Sequence, residues 1–168
     1  MTLPAYLAKI VSQDELAARL EARRRVGAKV VFTNGCFDLL HSGHTRYLAQ
    51  ARSLGDLLVV GLNSDASVRA IKGPGRPIRP QEKRAEVLAA LESVDYVVIF
   101  GEATPAALIE LVKPDILVKG GDWPVNRIVG ADLVLAKGGT VKSLPLVEGE
   151  SSSGIIRKIQ AEAWRSRE

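Results

Sequence analysis

The chain holds one cysteine, one methionine, two histidines and only 5% aromatic residues among its 168 positions, and each shortage excludes something. A single thiol, Cys36, forms no internal disulfide, so a reducing cytoplasm is the expected compartment. With no further cysteine, and with His41 and His44 as the whole histidine complement, a zinc site lacks a second ligand pair and no resident metal is expected. Sparse aromatics that are not interleaved with basic residues argue against a platform for single-stranded nucleic acid. No apolar run is long enough to cross a membrane, and the first six residues lack the charged start, apolar stretch and cleavage site of a signal peptide.

What is present points to a single globular domain. The hydrophobic fraction of 46% over 168 residues suffices for a real core. The formal charge of +4 suits anionic ligands without identifying them. Arg23, Arg24 and Arg25 form the strongest basic run, but they end an amphipathic helix, where cations favour the negative end of the dipole. That run reads as a solvated helix terminus rather than a nucleic-acid contact.

Ser12 with Glu15 three residues later predicts a capping box for a helix over about 14–25, so residues 1–27 are expected as a helical appendage to a domain over 28–168. Strands and helices then alternate: strand 30–33, helix 43–54, strand 57–62 and helix 65–71. A Gly- and Pro-rich loop over 72–80 precedes a helix over 81–91 and a strand over 94–100. Thr104 opens a helix with Pro105 at its first position, and strands follow over 116–119 and 140–144. This alternation predicts an α/β, Rossmann-like sandwich: five parallel strands with helices on both faces. Ligands of such sheets bind beyond the strand C-termini.

One such C-terminus stands out. After the apolar run 29–33 comes Asn34-Gly35-Cys36-Phe37-Asp38-Leu39-Leu40-His41-Ser42-Gly43-His44, which leads into helical spacing at Tyr47, Leu48, Ala51 and Leu54. His44 falls in the first helical turn, where free amides and the positive dipole end gather. Two imidazoles and a helix start can therefore hold an oligophosphate together. Gly35 and Gly43 allow close backbone approach.

Three other segments carry chemistry-bearing residues. Lys72, Arg76, Arg79, Lys83 and Arg84 place five cations within thirteen positions, which reads either as a solvated surface or as a phosphate grip. Lys119-Gly120-Gly121-Asp122-Trp123 ends a strand, with Trp123 either packed into the core or open to a flat ligand. Ser151-Ser152-Ser153 offers hydroxyls at a helix start, for capping or for a ligand.

The 35–44 motif resembles the signature of the cytidylyltransferase-like nucleotidyltransferases. Extended through Lys9-Ile10-Val11-Ser12, 31–38, 119–123 and 148–156, the likeness sharpens toward the heptose 1-phosphate adenylyltransferases and covers nearly the whole chain. In many bacteria that unit is fused to a ribokinase-type sugar kinase, for which 168 residues leave no room. The resemblance implies transfer of AMP from ATP, with Mg²⁺, to a sugar 1-phosphate. It implies catalytic roles for His41, His44 and Lys72. Nucleotide contacts are implied for Thr33, Asn34, Gly35, Cys36, Phe37 and Gly43, for Lys119, Gly120, Asp122 and Trp123, and for Ser151, Ser152 and Ser153. Asp38, Asp65, Arg76, Arg79 and Arg84 are implied on the acceptor side, and a homo-oligomer is implied as the assembly. Relatives acting on glycerol phosphate with CTP carry Arg-Thr where Leu146-Val147 stands here, so the same resemblance disfavours a cytidine nucleotide.

Overall fold

The computed structural model describes residues 3–145, 147 and 149–165. Leu146, of the Leu146-Val147 pair, lies outside them. Five strands, β1 (Val30–Gly35), β2 (Leu57–Asn63), β3 (Tyr96–Phe100), β4 (Ile116–Gly120) and β5 (Thr140–Leu144), form one sheet in the order β3-β2-β1-β4-β5. Every pairing is parallel, with Asn34 of β1 opposite Gly61 of β2 and Leu117 of β4 opposite Phe32 of β1.

Side chains two apart along each strand leave the sheet on the same face, so the strands feed two cores. Val30, Phe32, Leu57, Val59 and Leu117 enter one, together with Leu16 and Leu20 of α1 (Gln13–Arg25), Leu108, Ile109 and Val112 of α5 (Ala106–Val112), and Val134 of α6 (Ala131–Ala136). Val31, Leu58, Val60, Leu62 and Val118 enter the other, beside Tyr47, Leu48 and Ala51 of α2 (Ser42–Arg52) and Ala85, Leu88 and Ala89 of α4 (Gln81–Ala89). Helices therefore cover both faces, and each fully buried leucine contributes about 1.5–3 kcal/mol. Gly61 is the small residue of β2: a Cβ there would come within 2.9 Å of the Phe32 ring.

The N-terminal segment is joined closely to this core. The capping box forms, Ser12 Oγ accepting from Glu15 N at 3.2 Å and Glu15 Oε2 accepting from Ser12 N at 3.0 Å. Ile10 bridges to Val97 of β3, and Leu16 and Leu20 have no exposed surface.

Helix ends differ slightly from expectation. α2 starts one residue early, with His41 as its N-cap, and ends at Arg52; α4 stops at Ala89. Pro105 caps α5 instead of opening it. α6 was not expected, because its six residues, Ala-Asp-Leu-Val-Leu-Ala, are too few to show a period. Further helices are α3 (Asp65–Lys72) and α7 (Ser152–Arg165), with short 3-10 turns at Ala5–Lys9 and Val125–Arg127.

Candidate active site

In this strand order the chain runs outward from β1 through β2 to β3, then returns to place β4 on the other side of β1. The connections after β1 and β4 therefore diverge and leave a crevice at their C-terminal ends. A pocket of about 580 Å³ lies there, bordered by Asn34 and Gly35 of β1 and by Lys119 and Gly120 of β4.

The turn after β1 supplies its floor. Phe37 takes a left-handed backbone, φ 44°, and folds its ring back over Gly35, where a Cβ would meet Phe37 Cε2 at 2.9 Å. A bulky residue in that conformation stores strain that the surrounding packing must hold. The held turn delivers His41 as the cap of α2 and His44 as its third residue, with ring centroids 3.9 Å apart and planes 35° apart. Phe37 packs on His44 at 5.3 Å. Burial, with the neighbouring His41 charge as a second cause, pushes the His44 imidazole down to about 4 from its ordinary 6.5. His44 is thus neutral at physiological pH. Its Nδ1 is buried without a hydrogen-bond partner. Carrying the proton on Nε2 leaves only a lone pair stranded there and keeps an N–H for a ligand.

Asp38 closes the turn from below. Its carboxylate accepts from Arg76 Nε at 2.5 Å, Ile78 N at 2.8 Å and Arg79 N at 3.0 Å. Burial alone would raise this acid; the Arg79 and Ile78 amides and the Arg76 guanidinium outweigh it and leave the group below the usual carboxylate range. Asp38 borders the crevice, where it was expected on the acceptor side, with its oxygens bonded to the basic loop. The loop in turn splits its cations. Lys72 and Arg76 line the pocket, whereas Arg79 opens on a second hollow with Tyr6 and Lys83.

Arg84, expected on the acceptor side, is fully buried. It donates to Cys36 O at 2.6 Å, Arg79 O at 3.0 Å and Asp65 Oδ1 at 2.7 Å. These internal acceptors hold both Arg84 and Asp65 away from the pocket lining. Thr33 also lies beneath it, its hydroxyl 2.7 Å from Tyr47 Oη. Asp122 is exposed outside the lining, while its neighbour Trp123 borders the pocket with half its surface open rather than packing in the core.

The remaining expected contacts converge. Gly43, Cys36 and Ser151, Ser152 and Ser153 all border the crevice. Ser152 Oγ donates to Leu39 O at 2.7 Å, and Arg76 Nη1 reaches Ser153 Oγ at 3.4 Å. Burial pushes the Cys36 thiol up and the Lys119 ammonium down. Asn63 borders the crevice too, as its place in the turn that ends β2 implies, whereas sequence reasoning missed Tyr47, Thr104, Val129, Val147 and Glu150 as pocket neighbours. Tyr47 is buried, which pushes its phenol up to about 12.

Among the described residues, no group of three or more His, Cys, Asp or Glu could hold a metal ion. Among the same residues, no helix is long and apolar enough to cross a membrane.

Paired imidazoles at a helix start, beside the switch point of a parallel sheet, define an α/β domain built to hold nucleotide phosphates. The chain belongs to the cytidylyltransferase-like family, whose profile matches residues 32–157. It is 56% identical over 154 residues to the bifunctional protein HldE of Syntrophotalea carbinolica, which takes in 92% of this chain. To the bifunctional protein HldE of Geobacter sulfurreducens it is 54% identical over 152 residues, 90% of this chain. The chain spans about a third of these relatives, 31% of each. A crystal structure of the lipopolysaccharide core biosynthesis protein from Thermoplasma volcanium is 31% identical, with a TM-score of 0.59 over 74% of this chain and 100% of that one. Pantoate-beta-alanine ligase from Francisella tularensis, at 15% identity and a TM-score of 0.57 over 81% of this chain and 66% of that one, shares the fold alone.

Proposed function

We propose that the chain transfers AMP from ATP to D-glycero-β-D-manno-heptose 1-phosphate, yielding ADP-heptose and pyrophosphate for lipopolysaccharide or another heptose glycan. The carrying observation is the close pair His41 and His44 at the start of α2, sharing one crevice with Lys72, Arg76 and Lys119. The choice of acceptor is supported by the sequence resemblance to heptose 1-phosphate adenylyltransferases, by identity above half to the HldE relatives, and by the lipopolysaccharide core biosynthesis protein among the structural neighbours.

The chemistry needs no protein nucleophile. A phosphate oxygen of the sugar attacks the α-phosphorus of ATP, that P–O bond forms as the bond to the β-phosphate oxygen breaks, and pyrophosphate leaves with the electron pair. The difficulty is bringing two polyanions together and stabilising charge that grows on the transferring and departing phosphates. The amides and dipole of α2 with the His44 N–H serve the triphosphate. Lys72 and Arg76, on the side of the pocket formed by the basic loop, serve the incoming phosphate. Trp123 and Val129, beyond β4, offer an apolar surface for the base.

Pyrophosphate release with ATP or CTP, each offered heptose 1-phosphate or glycerol 3-phosphate, tests this reading. ATP with the heptose is the expected productive pair. Preference for CTP with glycerol 3-phosphate overturns the substrate assignment.

A further inference from the structure

Glu150 is an unexpected neighbour for a site that must receive a triphosphate, since a bare carboxylate there would repel it. Its placement resolves the conflict. Oε2 lies 3.2 Å from Nδ1 of His41, whose side chain is 10% exposed against 35% for Glu150. That nitrogen is buried and makes no hydrogen bond, and the Glu150 carboxylate stands within ion-pair distance of it. Packing at the start of α2 requires the arrangement: a Cβ on Gly43 would come within 2.9 Å of His41 Nδ1 and 3.0 Å of Glu150 Cβ. Glycine is what lets the ring and the Glu150 segment lie against the helix together. The segment is further tied by Ser152 to Leu39 and by Ser153 to Arg76.

We propose that Glu150 is a positioning residue, whose carboxylate takes the Nδ1 edge of His41 and so turns Nε2 of that ring toward the nucleotide phosphates. This rests on the adenylyltransferase reading above. An imidazole with a carboxylate at one nitrogen is fixed in orientation, and the proton at that nitrogen is favoured. The two histidines then differ in role. His41 is held from behind by an acid, whereas His44 is held by burial and by the Phe37 ring.

The test uses protein labelled with ¹⁵N-histidine, since two histidines give only two ring systems, and His44→Gln assigns them. With ATP analogue bound, the wild type should show His41 protonated at Nδ1, and Glu150→Gln should lose that preference. Turnover of Glu150→Gln should fall about tenfold with the KM for ATP changed less than about threefold, and Glu150→Asp should recover part of it. An unaltered His41 spectrum in Glu150→Gln overturns the proposal. So does tighter ATP binding at unchanged turnover, which would make Glu150 a mere obstacle to the anion. Failure of the wild type to adenylylate heptose 1-phosphate would sink the functional reading instead, while the ring spectra with nucleotide alone still decide the role of Glu150.

Discussion

The turn over 34–44 and the stretch over 72–84, a loop with the helix ends on either side of it, are both rich in phosphate-binding side chains, yet the fold deploys them differently. In the turn, both imidazoles reach one crevice, because a strand end and a helix start a few residues apart fix their directions. In the loop, five cations scatter: Lys72 and Arg76 face the crevice, Arg79 and Lys83 a second hollow, and Arg84 the interior. The internal acceptors decide this. Asp38, Asp65 and the Cys36 carbonyl claim guanidinium and amide donors that charge counting would assign to substrate. Charge density marks a phosphate site, but buried acceptors determine which cations remain for it.

Arg84 offers the largest expected break between the two regions. Arg84→Ala strands a carboxylate and two carbonyls, and loss of one partner from a buried ion pair typically costs about 3 kcal/mol or more. Urea denaturation should show that loss, and Arg84→Lys should restore little of it, because an ammonium cannot match three acceptors in a guanidinium's geometry. Full stability with lost turnover would instead put Arg84 on the phosphate and erase the distinction.

His44→Ala should lower turnover about 100-fold in a folded protein, the effect of removing one preorganised donor to developing charge. Unchanged turnover removes His44 from the mechanism. The same ring gives a pH signature. Folded His44 resists protonation down to about 4, whereas the unfolded ring protonates near its ordinary 6.5. The unfolded state therefore binds the extra proton between those values, and stability declines as pH falls through that window. His44→Gln should flatten this part of the decline, measured as denaturation midpoints at neutral and mildly acid pH. An equally steep decline would mean that His44 is protonated in the fold.

The contrast also explains what could be read in advance. The five strands, their parallel pairing and the two-faced helix cover follow from alternating short periodic segments, which residues such as Val30, Phe32, Leu57 and Val59 carry openly, whereas the strand order comes from the fold. The histidine turn was legible for the same reason. Asp38, Asp65 and Arg84 were legible as chemically capable residues but not as partners, because the bonds of Arg76 to Asp38 and of Arg84 to Cys36 and Asp65 join positions 19 to 48 residues apart. Glu150 stood within a recognised segment, yet its approach to His41 depends on packing at Gly43 that only the folded chain shows.

Within the loop, Lys72 tests whether a pocket-facing cation behaves differently from the inward Arg84. Lys72→Ala should raise the KM for the sugar phosphate about tenfold, close to the ~1.5 kcal/mol of a hydrogen bond to a charged group, with ATP binding less affected. Separate titrations of the two substrates decide it, and equal losses for both would contradict an acceptor-side role.

The smallest expected effect concerns the far wall. Trp123 is half exposed, its backbone N–H pinned by Gly121 O at 3.0 Å and Ser143 Oγ at 3.1 Å, so the indole is presented to the crevice from a fixed turn. Stacking of a base on such a ring is worth about 1 kcal/mol or somewhat more. Trp123→Ala should accordingly weaken ATP binding roughly fivefold by calorimetry, with Trp123→Phe retaining most of it. With the indole assigned to the base, inorganic pyrophosphate binding should stay at the wild-type level. Equal weakening of ATP and pyrophosphate would show that the substitution disturbs the β4 turn and its lysine, and would move the base away from this wall.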